Sequence, residues 1–292
     1  MALGLPRPSR SLPWRAGVRR GLIALPALGL LIWTLVPLYW LVVTSVVNPE
    51  ELLSRPAHLY PHAPHLRRYV ALLQLRLLPP DGGLIAPGGD NRLPLEGWRN
   101  SLLVALAVVP LTLLLALPAA YALARLRFRY RVALLVGLLL TRAYPPIAVL
   151  IPFSILFSKL ELVGTLPGLV IAHLTLTIPL VAWVMSGLLA ALPATLERAA
   201  RVDGLTRFQA MTRVVLPIAR PGIAVCAVIA FLTTWNEFFF ALILTAGSRA
   251  QTAPLNVSSG GPAAAVISLL PALVLALLSQ RHIRSLNLVD PL

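Results

Sequence analysis

Charge is scarce in this sequence. Only 12% of its 292 residues are Asp, Glu, Lys or Arg, whereas 58% are hydrophobic and the mean hydropathy is +0.83. A soluble domain carries about 25% charged residues, so the composition argues against one. Acidic residues number 10 and lysine occurs once, at Lys159, so the net charge of +15 rests almost wholly on arginine. Cysteine also occurs once, at Cys226, which excludes an intrachain disulfide and any cysteine-rich metal site. No glycine-rich loop ending in Gly-Lys-Ser/Thr is present, so the chain has no phosphate loop of the ATPase kind. Gly-x-Ser-x-Gly, His-Glu-x-x-His and paired aspartates are missing from the apolar blocks, which leaves a membrane-embedded hydrolase without nucleophile or base.

What the sequence has instead is long apolar blocks, at about 21–47, 101–124, 132–157, 165–191, 218–246 and 263–279. Blocks near 20 residues match the thickness of a bilayer when helical, and lipid forces their backbone amides to bond internally. The expected fold is therefore all-α and polytopic, with six transmembrane helices. The first block follows Arg7, Arg10, Arg15, Arg19 and Arg20, like a signal peptide, but is too long for one and no small-residue cleavage site follows it. It reads as a retained span behind a tail at 1–20. No internal repeat is visible, so an inverted-repeat carrier finds no support.

Arginine orients the spans. One set of segments holds the five N-terminal arginines, Arg125, Arg127, Arg129 and Arg131, then five in 198–220, then Arg281 and Arg284. The opposite short loops hold only Lys159 and Arg249. The positive-inside bias then makes both termini cytoplasmic and 48–100 external, since long loops cross largely regardless of charge. The basic charge thus reflects topology; a nucleic-acid binder would show a basic face with stacking aromatics. Segment 48–100 is rich in proline and glycine, and a connection of that length suits contact with an extracytoplasmic partner. Its His58, His62 and His65 read as loop histidines, because Pro56, Pro61 and Pro64 interrupt any helix that would align them on a metal.

Between the fourth and fifth blocks lies 193–217, which reads as a helix–turn–helix. Pro193 suits a helix start, and Asp203-Gly204 suits its end, because glycine accepts the left-handed conformation there. Thr206 then caps a second short helix, with Phe208 and Met211 at i, i+3 on one face. Two readings stand at this point: apolar anchors presented to a partner inside a basic rim, or an amphipathic linker lying on lipid headgroups.

The same stretch resembles the cytoplasmic motif of ABC-importer permeases: Glu-Ala-Ala, three residues, Gly, nine residues, an aliphatic, any residue, Leu-Pro. Ala199, Ala200, Gly204, Val214, Leu216 and Pro217 match, with Asp203 before the glycine. One position departs. Arg198 stands where the family has its acid, and Glu197, one residue earlier, points about 100° away on a helix. Elsewhere Asn100-Ser101-Leu102 and Ala119–Arg125 resemble the second span of the carbohydrate (maltose-type) branch. Pro145-Pro146 with Ile151-Pro152 resembles its third span, and Trp235-Asn236-Glu237-Phe238 its fifth. The resemblance implies a six-span subunit of the bacterial or archaeal inner membrane. It implies pairing with a second permease, two ATPase subunits that carry ATP and Mg, and an extracytoplasmic solute-binding protein. No cofactor is expected on this chain. The substrate implied is a sugar, oligosaccharide or polyol; a permease for another small solute, or an ion-coupled secondary carrier, is the alternative.

Three residues stand out among the polar ones inside blocks. Arg142 lies in the third, where a charge costs on the order of 3 kcal/mol, and Pro145-Pro146 must disturb the helix beside it. Asn236 and Glu237 lie in the fifth. Arg142 and Glu237 either pair or line a pathway, where Tyr144, Trp235 and Phe238 offer faces for sugar rings. His173 and Trp183, on the fourth block, read as packing residues.

Overall fold

The computed structural model describes residues 13–47, 51, 60–62, 64–73, 94–143 and 145–285. It divides into two units, Met1–His65 and Leu66–Leu292. In the first, α1 (Pro13–Val46) runs 34 residues and contains a candidate span, Ala24–Val46. The helix therefore extends back into the tail expected at 1–20. Trp33, Leu30 and Leu25 stand exposed along it, a surface suited to lipid rather than water. After α1, Glu51 accepts both the backbone N–H of His62 (2.9 Å) and a contact from His62 Nδ1 (2.7 Å). His58 lies outside the described residues, and among those described no group of His, Cys, Asp or Glu could hold a metal ion.

The second unit is all-helical among its described residues: α2 (Arg67–Leu73), α3 (Pro94–Arg125), α4 (Arg131–Leu140), α5 (Pro146–Lys159), α6 (Leu166–Ala191), α7 (Ala194–Val202), α8 (Arg207–Ala210), α9 (Arg220–Trp235), α10 (Phe239–Thr245) and α11 (Ala253–Ser285). A π-helical turn, Met211–Val215, and the short helix Leu216–Ile218 continue α8 towards α9. Among the described residues, four helical segments are long and apolar enough to cross a membrane: Ala24–Val46, Leu95–Arg125, Leu166–Ala191 and Gly261–Gln280. A fifth span results if Arg207–Ile218 and Arg220–Trp235, bent by 80°, count as one.

Two of the six expected blocks are broken. Block 132–157 splits into α4 and α5, because Pro145 is held extended (φ −66°, ψ 128°) and Pro146 restarts the helix at its first turn. Block 218–246 splits into α9 and α10 at Asn236–Phe238. The last block is longer than expected and kinks at Gly261, whose φ is +64°. Helix α3 starts at Pro94, with Glu96 in its first turn and Arg125 in its last, each opposing the local helix-dipole charge.

The core is a seam between α3 and α6, onto which α9 packs, with α11 against α9 and α3. Lipid removes the hydrophobic drive between spans, so close approach of small residues and buried polar bonds must hold them. Ala105, Ala116, Ala120, Ala172, Ala182 and Ala230 are fully buried, and the hydroxyls of Thr112 and Thr177 meet at 2.6 Å. At one end of α3, the Asn100 amide donates to the carbonyls of Arg249 (2.7 Å) and Gln251 (2.9 Å), and Ser101 Oγ accepts from Ala253 N (2.8 Å). These bonds fasten the loop ahead of α11 to α3, which is the physical use of the Asn100-Ser101 pair. Asn100→Ala should leave two part-buried carbonyls without this donor and cost about 1–3 kcal/mol, read as a lower unfolding midpoint in detergent.

Candidate functional site

Segment 193–217 folds as two short helices about a tight turn. α7 ends in paired bonds, Leu205 N to Ala200 O (3.1 Å) and Gly204 N to Arg201 O (3.2 Å), which satisfy carbonyls the helix leaves open. The turn needs Gly204 at φ +87°; a Cβ there meets nothing within 4 Å, so backbone conformation alone demands glycine. Thr206 caps α8 as expected. Its hydroxyl accepts from Gln209 N (3.3 Å) while Gln209 Oε1 accepts from Thr206 N (2.9 Å), a reciprocal capping box.

The expected anchors part company. Phe208 is 69% exposed, whereas Met211 is 5% exposed and belongs to the cluster of Tyr121, Met185, Leu189, Val215 and Cys226. Met211 opens the π turn, where the wider winding puts Ala210, Met211 and Val215 on the buried side. Pro217 supplies a reason for that turn, since its ring excludes the ordinary bond to Arg213. Leu216 and Pro217 are half-buried, Ala200 is buried, and Arg198, Ala199 and Asp203 are exposed. Glu197 turns inward: its Oε1 accepts from Tyr121 Oη at 2.7 Å and its Oε2 lies 3.8 Å from Arg125 Nε. Tyr121 and Arg125 therefore join the site, although from sequence they are only part of the Ala119–Arg125 stretch that resembles the family. Their i, i+4 spacing at the end of an apolar helix was the available signal.

The second feature lies where the two broken blocks meet. A cavity of about 270 Å³ is lined by Thr141, Arg142, Leu176, Thr233, Asn236, Glu237, Phe238 and Phe239. The break between α4 and α5 carries Arg142, and the break between α9 and α10 carries the others from Asn236 to Phe238. Arg142 and Glu237 thus share a cavity without forming an ion pair. Glu237 instead accepts from the backbone N–H groups of Phe239 (2.9 Å), Phe240 (2.9 Å) and Ala241 (3.3 Å), donors that the start of α10 would otherwise leave bare. His173 Nε2 stands 3.8 Å from the same carboxylate, and its Nδ1 bonds to Leu169 O (2.7 Å). Hence His173, read from sequence as a packing residue, is buried beside the cavity's acid. Trp235 faces the other way, 4% exposed, stacked on Phe231 and donating to Ser268 O (3.0 Å). Tyr144 lies outside the described residues.

Residues 102–286 match the family described as binding-protein-dependent transport system inner membrane component. The chain belongs to that family. The permease is 29% identical to the sulfoquinovosyl glycerol transport system permease protein of Agrobacterium fabrum, over 88% of each chain. It is 28% identical to the trehalose/maltose transport system permease protein of Thermococcus litoralis, over 92% of this chain and 95% of that one. It shares its fold with a chain of a bacterial ABC transporter involved in import of the acidic polysaccharide alginate, solved by crystallography. The TM-score is 0.68 at 20% identity, covering 94% of this chain and 99% of the other. The permease is accordingly a multi-pass transport subunit and not an enzyme.

Geometry separates the two acid sites. In a double-mutant cycle on thermal stability, Tyr121→Phe and Glu197→Gln should couple by about 0.5–3 kcal/mol, as partners in direct contact do. Arg142→Gln and Glu237→Gln should instead add within about 0.5 kcal/mol, because the Glu237 carboxylate is held by backbone amides and not by the guanidinium.

Proposed function

We propose that this permease is a membrane-spanning subunit of an ATP-driven, binding-protein-dependent importer for a sugar, oligosaccharide or polyol. The observation that carries the mechanism is the rigid turn at Gly204 with Phe208 held out beyond it, 69% exposed on an element whose other apolar side is buried. In this reading 193–217 is the cytoplasmic coupling loop, and Phe208 with Arg198, Ala199 and Asp203 faces an ABC ATPase. Ala200, Met211, Leu216 and Pro217 support that surface from behind. Arg198 gives the surface a cation where the family has an acid.

Six spans remain the reading of the topology, with the third and fifth interrupted at Arg142–Pro145 and Asn236–Phe238. Residues 1–20 then lie in the cytoplasm with the C-terminus, 21–292 form the permease domain, and 48–100 lies outside, towards the solute-binding protein. A second permease and two ATPases carrying ATP and Mg complete the assembly. ATP binding closes the ATPases, the coupling loops move with them, and the spans rotate to open the pathway outward. The cavity at the two breaks supports a polar solute. Arg142, Asn236, Thr141 and Thr233 offer hydrogen bonds and Phe238 an apolar face, the pairing that a sugar's hydroxyls and ring carbons require. Relatives named for trehalose/maltose and sulfoquinovosyl glycerol support the carbohydrate class.

Uptake by the complete transporter should be vanadate-sensitive, with the ATPase co-purifying; vanadate-insensitive uptake driven by an ion gradient would mean a secondary carrier. Phe208→Ala should weaken ATPase binding by roughly 30-fold, the loss of an interface anchor worth about 2 kcal/mol, with the fold intact. Gly204→Pro cannot adopt φ +87° and loses the bond to Arg201 O, so it should abolish uptake while the chain still inserts; normal uptake would sink the coupling role.

A further inference from the structure

Segment 193–217 has an inner face that docking leaves unused. α7 packs chiefly on α8 and the π turn, and Ala200 is its only buried residue. Its polar link to the spans is a cluster at the end of α3. Glu197 accepts the Tyr121 hydroxyl at 2.7 Å, and Arg125 Nη2 donates to the carbonyl of Leu192 (3.0 Å), the residue that joins α6 to α7. Arg125 Nε is buried without a hydrogen bond among the described residues, so its charge relies on the Glu197 carboxylate 3.8 Å away. Side-chain exposure is 9% for Arg125 and 14% for Glu197, where water screens the pair little. Arg207, at the start of α8, bears electrostatically on the same tyrosine.

We infer that Tyr121, Glu197 and Arg125 form a latch that fastens the coupling helix α7 to the end of α3. Glu197 is then a positioning residue that holds the loop to its own subunit rather than touching the ATPase. This rests on the coupling reading of 193–217. Because α3 is one side of the central α3–α6 seam, a push on α7 reaches the seam directly through the latch. Without it, α7 is tied to the spans by the backbone at each end and through its packing on α8 and the π turn, and its displacement is absorbed at the Gly204 turn and the α6–α7 junction.

Two measurements test the latch, one of which needs no ATPase. In the full-length permease alone, hydrogen exchange of amides 197–202 should speed about fivefold in Tyr121→Phe, the shift expected for loss of one typical hydrogen bond. Glu197→Asp, which keeps the charge but withdraws it by a methylene, should do the same. Unchanged exchange in both variants overturns the latch. In the complete transporter, spin labels at Thr195→Cys and Arg127→Cys, in a Cys226→Ser background, report the separation of α7 and the α3 end. With the latch intact, adding MgATP and vanadate should leave that distance unchanged; in Tyr121→Phe it should broaden or shift. A nucleotide-dependent change in the intact latch, equal to that in Tyr121→Phe, overturns the proposal. An ATPase that fails to bind the unmutated permease would count against the coupling reading instead, with the exchange measurement still deciding the latch.

Discussion

Inside a bilayer no water is available to complete a broken helix, so each break must bring its own donors and acceptors. That constraint explains most of what is unusual in this permease. The break before α10 exposes three amides, and Glu237 takes all three. The break before α5 is bounded by Pro145 and Pro146, residues that carry no N–H to be satisfied. Outside the apolar blocks, the loop ahead of α11 presents the carbonyls of Arg249 and Gln251, and the Asn100 amide answers both. Polar residues in the apolar blocks are thus accounted for largely by the backbone. The cavity arises because two such breaks lie side by side.

The same logic shows why the sequence was readable in one dimension and silent in another. Pro145-Pro146 told of a broken third block, and Asp203-Gly204-x-Thr206 told of a helix end, a turn and a new cap, because each is a local rule of backbone geometry. The all-helical, polytopic class came from block length and composition. Pairings across the fold were not accessible in that way. Glu197 meets Tyr121 from 76 positions away, and His173 meets Glu237 across separate helices, so neither contact leaves a local pattern. Met211 shows the limit most clearly. Its i, i+3 spacing from Phe208 implied a shared face, but the π turn that begins at Met211 changes the winding there and the methionine is buried.

Arg142 and Glu237 invited a salt bridge on sequence grounds, since opposite charges within apolar blocks ordinarily compensate each other. The capped carboxylate removes that need on one side. Arg142 lines the cavity wall without pairing with Glu237.

The π turn at Met211–Val215 also fixes a rotational phase. Each residue advances an α-helix by about 100°, so the extra residue of a π turn sets the angular offset between the helical segments on its two sides. Phe208 lies before the turn, and Val215, Ala219 and Cys226, on the core side, lie at its end or beyond. Outward anchor and inward packing are therefore in step only while that turn persists. Tightening it to regular α-helix would turn Phe208 by about a quarter turn relative to Val215 and would disturb the packing of Met211 in its buried cluster. The permease thus carries, between Phe208 and its fifth block, an element whose winding sets the phase of the one against the other.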